Sequence, residues 1–190
     1  LVLSRAPPGP GQERDGLAHR LAQLPEGVEI IVLAANRSAE TRSMLQNVRK
    51  LKRREPNTYQ ALIERQTEAA NAAVQAIDRG DPLALVGAIN QQGLVLEALG
   101  HAADVPIVPS VLAELRRRAP NHVAVLPAGA GGGDVALWVS FGRKAPSEAL
   151  LGETGHRILP CQLGAKGLEA LDSPLTVQGS SPDPFALDEC

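Results

Sequence analysis

The order of predicted elements in this 190-residue chain indicates an α+β fold, in which several helices pack on an antiparallel, ferredoxin-like sheet. Two observations predict it. A β-branched strand is followed by several helices, and the chain then runs strand, glycine-rich loop, strand, helix and strand. Hydrophobic residues make up 44% of the sequence and charged residues 21%, which are the proportions of a globular domain with a buried core.

The sequence divides into three parts. Residues 1–27 are expected to be an irregular N-terminal segment, which opens with the end of a strand that runs into the Pro/Gly-rich run PPGPG, because Pro and Gly favour turns and extended backbone. Residues 28–165 form the predicted domain. Residues 166–190, rich in Ser, Pro and Asp, are expected to be disordered. The first residue is Leu1 rather than Met, which suggests either that the chain was cut from a longer one or that an initiator Met was removed by processing.

The strands are predicted from short apolar runs bounded by turn residues. The first is Val28–Ala35, with the sequence VEIIVLAA. Residues 123–126 and 134–141 form the two strands that flank the glycine-rich loop. Residues 156–163 form the last strand, and Pro160 predicts that it lies at a sheet edge, because Pro cannot donate to a strand ladder.

The helices are predicted where apolar residues recur at helical spacing. The first covers residues 39–54, with Ser38 as its N-cap. The second covers Pro56–Arg79, with Pro at its first position and Gly80 at its end. The other predicted helices are one that begins at Pro82 after the capping residue Asp81, a short one at Ser110–Arg118, and a brief helical segment at residues 147–151.

A basic cluster ends the first helix and consists of Arg49, Lys50, Lys52, Arg53 and Arg54. One interpretation is a solvated helix end, stabilised by the helix dipole. The other is a surface that attracts an anionic substrate. The first is favoured, because these charges point in several directions around the helix.

Composition and charge exclude several function classes. The formal net charge of -2 argues against a general nucleic-acid binder, and with only 2% aromatic residues a base-stacking platform is not expected. No apolar run reaches the roughly 20 residues of a membrane-spanning helix, so no membrane partner is expected. Cys161 and Cys190 cannot build a disulfide framework, which favours a reducing, cytoplasmic setting. The histidines show no metal-ligand spacing, so no metal site is predicted.

The most informative stretch runs from Pro127 to Asp134 and has the sequence PAGAGGGD. A plain hairpin turn needs only one or two glycines, and additional glycines cost chain entropy on folding. In return, the main chain can approach a ligand closely and point N–H groups at an anion. The stretch is not a Walker loop, because no Lys-Ser/Thr pair follows, and it leads into a strand rather than a helix, unlike a dinucleotide-binding loop. From the glycines alone, a structural turn and an anion-binding loop are equally compatible with the sequence.

This stretch resembles the third conserved motif of the GHMP kinases, most closely the form P-S-G-A-G-G-G-D of the phosphomevalonate kinases. Residues 35–41, ANRSAET, resemble the segment T-G-x-S-A-S-T that follows a strand in the same enzymes. A looser match is the helix that ends at residues 94–99 together with the connector VPIVP at residues 105–109. The matches agree in order and approximate spacing, from about Pro25 to about Leu163. The resemblance implies the C-terminal half of a GHMP kinase, which is a ferredoxin-like domain.

The resemblance also implies an activity. A complete enzyme of this type moves the γ-phosphoryl group of Mg-ATP onto a small anionic molecule. For the phosphomevalonate kinases of isoprenoid biosynthesis, in the mevalonate pathway, that molecule is 5-phosphomevalonate. ATP and Mg²⁺ would be bound mainly by an N-terminal half. The implied partners are therefore a small anionic metabolite and an N-terminal kinase half or partner chain.

By the same resemblance, the glycine-rich loop lines the cleft beside the transferred phosphate, and Arg37 offsets the charge of the acceptor. Asp134 either caps the loop by bonding backbone N–H groups, which is the preferred interpretation, or reaches into the site. No catalytic residue is assigned. The residues predicted to bind substrate or phosphate are Arg37, Ser38, Ala128, Gly129, Ala130, Gly131, Gly132 and Gly133.

Several features depart from the family pattern. Ala128 replaces the family serine, which removes a hydroxyl near the substrate phosphate. Asn36 stands where glycine is usual, although Asn tolerates left-handed backbone. Glu40 replaces a small serine and would bring negative charge near an anionic substrate. The phosphate loop P-x-x-x-G-L-x-S-S-A occurs nowhere in this sequence, so this chain alone is not expected to catalyse phosphoryl transfer.

Two hypotheses follow. In the first, the chain is the C-terminal domain of a phosphomevalonate-kinase-like enzyme and is active only with an N-terminal partner domain. In the second, it is a non-catalytic ferredoxin-like module that binds a ligand or a partner, because a fold alone does not fix a function. The substitutions at Ala128 and Glu40 suit the second hypothesis, and the ordered set of matches suits the first.

Overall fold

The computed structural model describes residues 2–5, 17–20, 22–35, 40–142 and 144–161. The predicted helix cap Ser38 and the predicted disordered segment 166–190 lie outside these residues. The strands are β1 (Val2–Arg5), β2 (Leu17–Arg20), β3 (Val28–Ala35), β4 (Val123–Pro127), β5 (Val135–Phe141) and β6 (His156–Leu159). The helices are α1 (Thr41–Arg54), α2 (Pro56–Arg79), α3 (Pro82–Ala103), α4 (Ser110–Arg118) and α5 (Glu148–Thr154).

Four strands form the main sheet, in the order β4-β5-β3-β6, and every neighbouring pair is antiparallel. Helices α1 to α4 connect β3 to β4, and α5 connects β5 to β6. The sequence of elements is therefore the β-α-β-β-α-β pattern of a ferredoxin-like domain, with additional helices in the first connection. The predicted α+β fold is confirmed, and β6 lies at a sheet edge as Pro160 indicated.

The N-terminal segment agrees with the expectation in its first strand, β1, and differs in the second, β2. Residues 1–27 were predicted to be irregular, but β1 and β2 lie within them and pair antiparallel, with Val2 opposite Arg20. Extended segments on either side of a Pro/Gly-rich run can satisfy each other's backbone N–H and C=O groups, which a single irregular segment cannot do. The side chain of Arg20 forms an ion pair with Asp78 near the end of α2, which attaches this hairpin to the helices.

Most helix boundaries follow the predicted capping residues. Gly80 ends α2 in the left-handed conformation, with φ 65°, and the side chain of Asp81 accepts a 2.9 Å hydrogen bond from the amide of Ala84 at the start of α3. Helix α1 begins at Thr41 rather than at residue 39, and β6 ends at Leu159 rather than at residue 163. The shorter strand has a physical reason, because Pro160 has no N–H to continue the ladder.

Side chains on both faces of the sheet are buried. On one face Leu33, Val125 and Trp138 pack with Leu112 of α4 and Leu151 of α5. On the other face Ala124 and Val139 are buried together with Val86 of α3. The prediction that Trp138 belongs to the core is confirmed, since the residue is 2% exposed, and its indole N–H donates a 2.7 Å hydrogen bond to the carbonyl of Lys144.

Helix α3 is long and apolar enough, by length and composition, to cross a membrane, with a mean hydropathy of 1.2. The sequence contains no uninterrupted apolar run long enough to span a membrane. Helix α3 agrees with that, because its apolar residues are interrupted by Asn90, Gln91, Gln92 and Glu97. In this fold α3 contacts α2, β4 and β5. The core helix of a soluble protein passes the same test of length and composition, so the finding is weak evidence for a membrane span.

Candidate functional site at the glycine loop

Three strand ends meet where the glycine loop begins and ends. The loop, residues 128–134, connects the end of β4 to the start of β5, and Ala128 closes it by donating a 2.9 Å hydrogen bond to the carbonyl of Val135. The amide of Ala35, the last residue of β3, donates a 2.9 Å hydrogen bond to the carbonyl of Asp134. The sheet therefore places the end of β3, and the segment that follows it, beside this loop.

The glycines of this loop adopt backbone conformations that other residues avoid. The φ angles of Gly129, Gly131, Gly132 and Gly133 are 63°, 92°, 88° and 73°. Positive φ values cost little for glycine and are unfavourable for residues with a Cβ atom. The path of the main chain by itself therefore requires glycine at these positions, whether or not a ligand binds.

One side of the loop is packed against the connector between α3 and α4. A Cβ atom on Gly131 would lie 2.7 Å from the carbonyl oxygen of Ile107, and one on Gly133 would lie 2.8 Å from Cγ of Pro109. The amide of Gly132 donates a 3.0 Å hydrogen bond to the same Ile107 carbonyl. Close contact with its own protein therefore accounts for two of the glycines that sequence reasoning had placed against a ligand.

The tip of the loop remains open. Gly129 and Ala130 are exposed, and a Cβ atom on Gly129 would meet nothing within 4 Å. In the described part of the chain, the amides of Gly129, Ala130, Gly133 and Asp134 make no hydrogen bond. Unpaired N–H groups on successive residues of a glycine-rich turn can bind an anionic oxygen. The tip is thus the part of this loop whose main-chain donors are free to bind an anion.

Asp134 makes a local contact at the end of the loop. Its Oδ1 accepts a 2.8 Å hydrogen bond from the amide of Val135, the first residue of β5, and the residue is half-buried. This is the kind of backbone contact that the structural interpretation of Asp134 requires. The carboxylate adds negative charge at the base of the loop and would repel an anion there. The more favourable position for an anion is therefore the tip.

The structure does not describe every predicted site residue. Arg37 and Ser38 lie outside the described residues, between Ala35 and Glu40. Ala128 is half-buried and uses its amide in the strand pairing, so it presents no free donor. Of the predicted set, only the loop residues 128–133 are brought together by described backbone.

Glu40 lies at the N-terminus of α1. It is exposed, and the hydroxyl of Ser43 donates to its backbone oxygen at 3.0 Å and to its Oε2 at 3.2 Å. The Glu40 side chain does not bond the first backbone amides of α1. The negative charge that the sequence analysis noted is thus held at the start of this helix.

The connector is the part of the site that sequence reasoning did not assign. Gly100 near the end of α3 lets the connector approach, since a Cβ there would lie 2.7 Å from the carbonyl of Val105, and Ile107 is 6% exposed. The sequence VPIVP gave the only signal: a buried aliphatic residue between prolines marks a rigid segment with few N–H donors. The carbonyl of Ile107 in this connector accepts the hydrogen bond from the amide of Gly132 in the loop.

Among the described residues, no group of three or more His, Cys, Asp or Glu side chains could hold a metal ion. In the described part of the chain, the site consists of main-chain donors, glycines and the carboxylate of Asp134. Such a site can orient and stabilise an anion, but the described residues offer no cluster of carboxylates that would bind a divalent cation.

The geometry defines an α+β domain in which a glycine-rich loop with unpaired main-chain amides lies at the ends of β4 and β5. No protein-family model matches the sequence, and no curated protein matches it either. Solved structures do match. A Lin0012 protein from Listeria innocua is 24% identical, with a TM-score of 0.64, and the match covers 76% of this chain and 41% of that one.

Two further matches are kinases by name. Streptococcus pneumoniae phosphomevalonate kinase, in complex with phosphomevalonate and AMPPNP, is 19% identical with a TM-score of 0.59, and the match covers 76% of this chain and 41% of the kinase. L. major mevalonate kinase, in complex with R-mevalonate, is 18% identical with a TM-score of 0.52, over 73% of this chain and 40% of that kinase.

This chain thus spans about two fifths of the length of the structures it matches. The predicted likeness to the C-terminal half of a GHMP kinase is confirmed at the level of the fold. At these sequence identities the likeness concerns the fold, and the activity of the matched kinases belongs to those proteins.

Proposed function

We propose that this chain is the C-terminal part of a small-molecule kinase of the GHMP type, and that it helps to bind a phosphorylated acceptor. The first candidate for the acceptor is 5-phosphomevalonate. The observation that carries the proposal is the open tip of the glycine loop, where Gly129 and Ala130 offer unpaired amides beside the end of β3. The motif and the shared fold point to the same chemistry.

In this proposal the loop positions phosphate oxygens by main-chain hydrogen bonds. The packing of Gly131 and Gly133 on the connector holds the tip in one conformation, so little ordering is needed when the anion binds. Preorganised N–H donors also stabilise charge that develops during phosphoryl transfer. Arg37 and Ser38, which follow Ala35 in the chain, remain the predicted contacts for the acceptor.

The phosphoryl donor is assigned to another part of the enzyme. Mg-ATP would supply the γ-phosphoryl group, and the cation would neutralise part of its charge. The described residues contain no cluster that could hold the cation, and the sequence contains no serine-rich phosphate loop. An N-terminal kinase half or partner chain would therefore bind Mg-ATP, and this chain alone would be inactive. We place the complete enzyme in the cytoplasm, where the exposed free thiol of Cys161 would stay reduced.

The proposal is tested by calorimetric titration of the chain with 5-phosphomevalonate, ATP and ADP, followed by an assay for ADP release after the chain is combined with an N-terminal GHMP kinase domain. Binding of 5-phosphomevalonate, and ADP release that depends on both parts, would support it. Failure of the combined protein with mevalonate, homoserine, sugars and 5-phosphomevalonate would contradict it. The coding sequence upstream of Leu1 gives an independent check, because a serine-rich phosphate loop is expected there.

A second candidate function rests on a specific observation. Contacts with Ile107 and Pro109 explain why Gly131 and Gly133 are glycines, without any ligand, and Ala128 lacks the family hydroxyl. A non-catalytic binding module would have the same features. Binding of a different class of metabolite, with no response to ATP, ADP or 5-phosphomevalonate, would favour this second candidate.

A further inference from the structure

Helix α3 is more apolar than its burial in this chain explains. Its mean hydropathy reaches 1.2, yet only 33% of its most apolar stretch is buried. A helix that is apolar on all sides is normally buried in the core of a protein. In α3, by contrast, Leu83 is 57% exposed and Leu94 is 43% exposed. The described part of the chain therefore leaves an apolar surface of α3 uncovered.

The exposed residues of α3 share one face of the helix, because they recur at helical spacing. They are Leu83, Gly87, Gln91, Leu94 and His101. A groove of about 250 Å³ borders this face and separates α3 from α2. Its lining consists of Arg65, Glu68, Ala69 and Ala72 of α2 with Ala88, Gln91 and Val95 of α3. The exposed Leu94, next to Val95 in the chain, thus lies beside a groove whose alanines leave room for a side chain.

Two opposite charges at this groove have no partner in the described part of the chain. The side chains of Arg65 and Glu68 form neither an ion pair nor a hydrogen bond with another described residue. They lie about one turn apart on α2, and both line the groove. A two-fold interface brings residue i of one copy to residue j of the other and the reverse. Arg65 of each copy can therefore meet Glu68 of the other, so the charges of this face complement themselves.

The same charges argue against a lipid bilayer as the occupant of this face. A membrane contact through the exposed leucines would move the unpaired charges of Arg65 and Glu68 out of water, which is costly. The face also extends away from the glycine loop. Leu83 and Gly100 stand about 25 Å apart along α3, and it is Gly100 that contacts the connector beside the loop.

The size of the face suits a weak dimer. With 22 residues, α3 is about 33 Å long, and two adjacent helices are roughly 20 Å wide. The pair α2/α3 therefore offers about 650 Å² per copy, or about 1,300 Å² for two copies, which is at the lower end of stable interfaces. A dissociation constant in the micromolar range is expected for such an area.

We propose that two copies of this chain associate through the α2/α3 face, with their grooves opposite each other across a two-fold axis. Leu94 of each copy packs at the groove of the other, and the burial of apolar surface drives the association. Arg65 and Glu68 pair between the copies on both sides of the axis and fix the register of the contact. This inference does not depend on the proposed function, because it uses no residue of the glycine loop.

The test is analytical ultracentrifugation of the full chain at concentrations from roughly 1 to 500 μM. The wild type is expected to pass from monomer to dimer in this range. Leu94→Glu is expected to raise the dissociation constant at least about tenfold, because it places an unpaired charge in the interface. Leu45→Glu makes the same change at a leucine of α1 that is 51% exposed, and this matched control is expected to change the constant less than about twofold.

A charge exchange tests the register. Arg65→Glu and Glu68→Arg are each expected to weaken the dimer about fivefold or more, because each brings like charges together across the axis. The double variant Arg65→Glu/Glu68→Arg restores opposite charges in reversed order, so its dissociation constant is expected within about threefold of the wild-type value. A merely structural role of the two residues would not produce this rescue.

Three results would overturn the proposal. The first is a chain that stays monomeric over the whole range. The second is a dimer that responds to neither Leu94→Glu nor the charge exchange, since it would form through another surface. The third is a monomer that sediments with phosphatidylcholine vesicles and loses this binding in Leu94→Glu, which would assign the face to a membrane. Circular dichroism and thermal unfolding of each variant check that these exposed substitutions leave the fold intact.

Discussion

The amide of Gly132 donates a hydrogen bond of 3.0 Å to the carbonyl oxygen of Ile107, and this contact joins the glycine loop to the connector between α3 and α4. Gly131 packs on the same carbonyl, and Gly133 packs on the ring of Pro109. The loop therefore has a packed side, which fixes its shape, and an open tip, whose unpaired amides are free to bind an anion. This division leads to different predictions for glycines that share positive φ angles.

Gly131→Ala and Gly129→Ala are expected to differ in their effect on stability. A methyl group at residue 131 would lie 2.7 Å from the Ile107 oxygen, with φ at 92°, so Gly131→Ala should lower the free energy of unfolding by about 3 kcal/mol. At residue 129 the space is open, and only the backbone conformation is unfavourable, so the loss should be about 1 kcal/mol. Urea denaturation of both variants measures the difference. Equal losses would show that the loop is not held by the connector.

Asp104→Gly is expected to stabilise the protein. Asp104 ends α3 with φ at 53° and is the only non-glycine residue with positive φ in the described part of the chain. Glycine is the preferred residue at such a helix end, so the substitution should add about 0.5–1 kcal/mol to the free energy of unfolding.

Gly80→Ala supplies the matched control for that prediction. Gly80 ends α2 in the same conformation, with φ at 65° and open space around it, so the change to alanine should cost about 1 kcal/mol. Thermal unfolding of both variants gives the signs. A loss of stability in Asp104→Gly would mean that its side chain makes a stabilising contact that outweighs the strain.

The ion pair of Arg116 with Glu97 is expected to matter more than that of Arg117 with Glu114. The side chain of Arg116 is 10% exposed and fits over Gly93 of α3, whereas that of Arg117 is 68% exposed. Arg116→Ala removes packing and leaves the Glu97 charge partly buried, so it should cost about 3 kcal/mol, and Arg117→Ala should cost less than about 1 kcal/mol. Chemical denaturation at low and high salt tests both. Similar costs would contradict the assigned difference in burial.

Most of the fold could be predicted from local sequence signals. Val28–Ala35, Pro56–Arg79 and Ser110–Arg118 have the bounds that their apolar periodicity and flanking Pro or Gly residues indicate. Strand β2 and its pairing with β1 were missed, because the pairing depends on two segments separated by a Pro/Gly-rich run rather than on either segment alone. Local signals are strong where one segment determines its own conformation.

The candidate site could be predicted only in part, for the same reason. The glycine motif identified the loop, but the roles of individual glycines depend on Ile107 and Pro109, which are distant in sequence. Asn90 gives a second example. Its side chain is partly buried and donates a 3.0 Å hydrogen bond to the carbonyl of Val123 in β4, a contact that no local sequence pattern indicates. Contacts between elements that are far apart in the chain leave no local pattern.

Ala128→Ser is expected to strengthen the binding of a phosphorylated acceptor. It restores the hydroxyl that the resembling motif carries, at a half-buried position at the start of the loop. One additional hydrogen bond contributes about 0.5–1.5 kcal/mol, which corresponds to roughly a two- to tenfold gain in affinity. Calorimetric titration with 5-phosphomevalonate measures it, and Ala72→Ser on the exposed face of α2 is the control. Unchanged affinity would indicate that the ligand does not reach the start of the loop.

The central claim is that the exposed loop tip binds an anionic phosphate, and the most direct measurement is calorimetry of the full chain with 5-phosphomevalonate, comparing the wild type with Ala130→Glu and Ala130→Ser. Ala130 is exposed, so both variants should fold. The carboxylate introduced by Ala130→Glu should repel the ligand and weaken binding at least tenfold, while Ala130→Ser should bind within about threefold of the wild type. Equal binding by all three proteins, or no binding by the wild type, would contradict the claim.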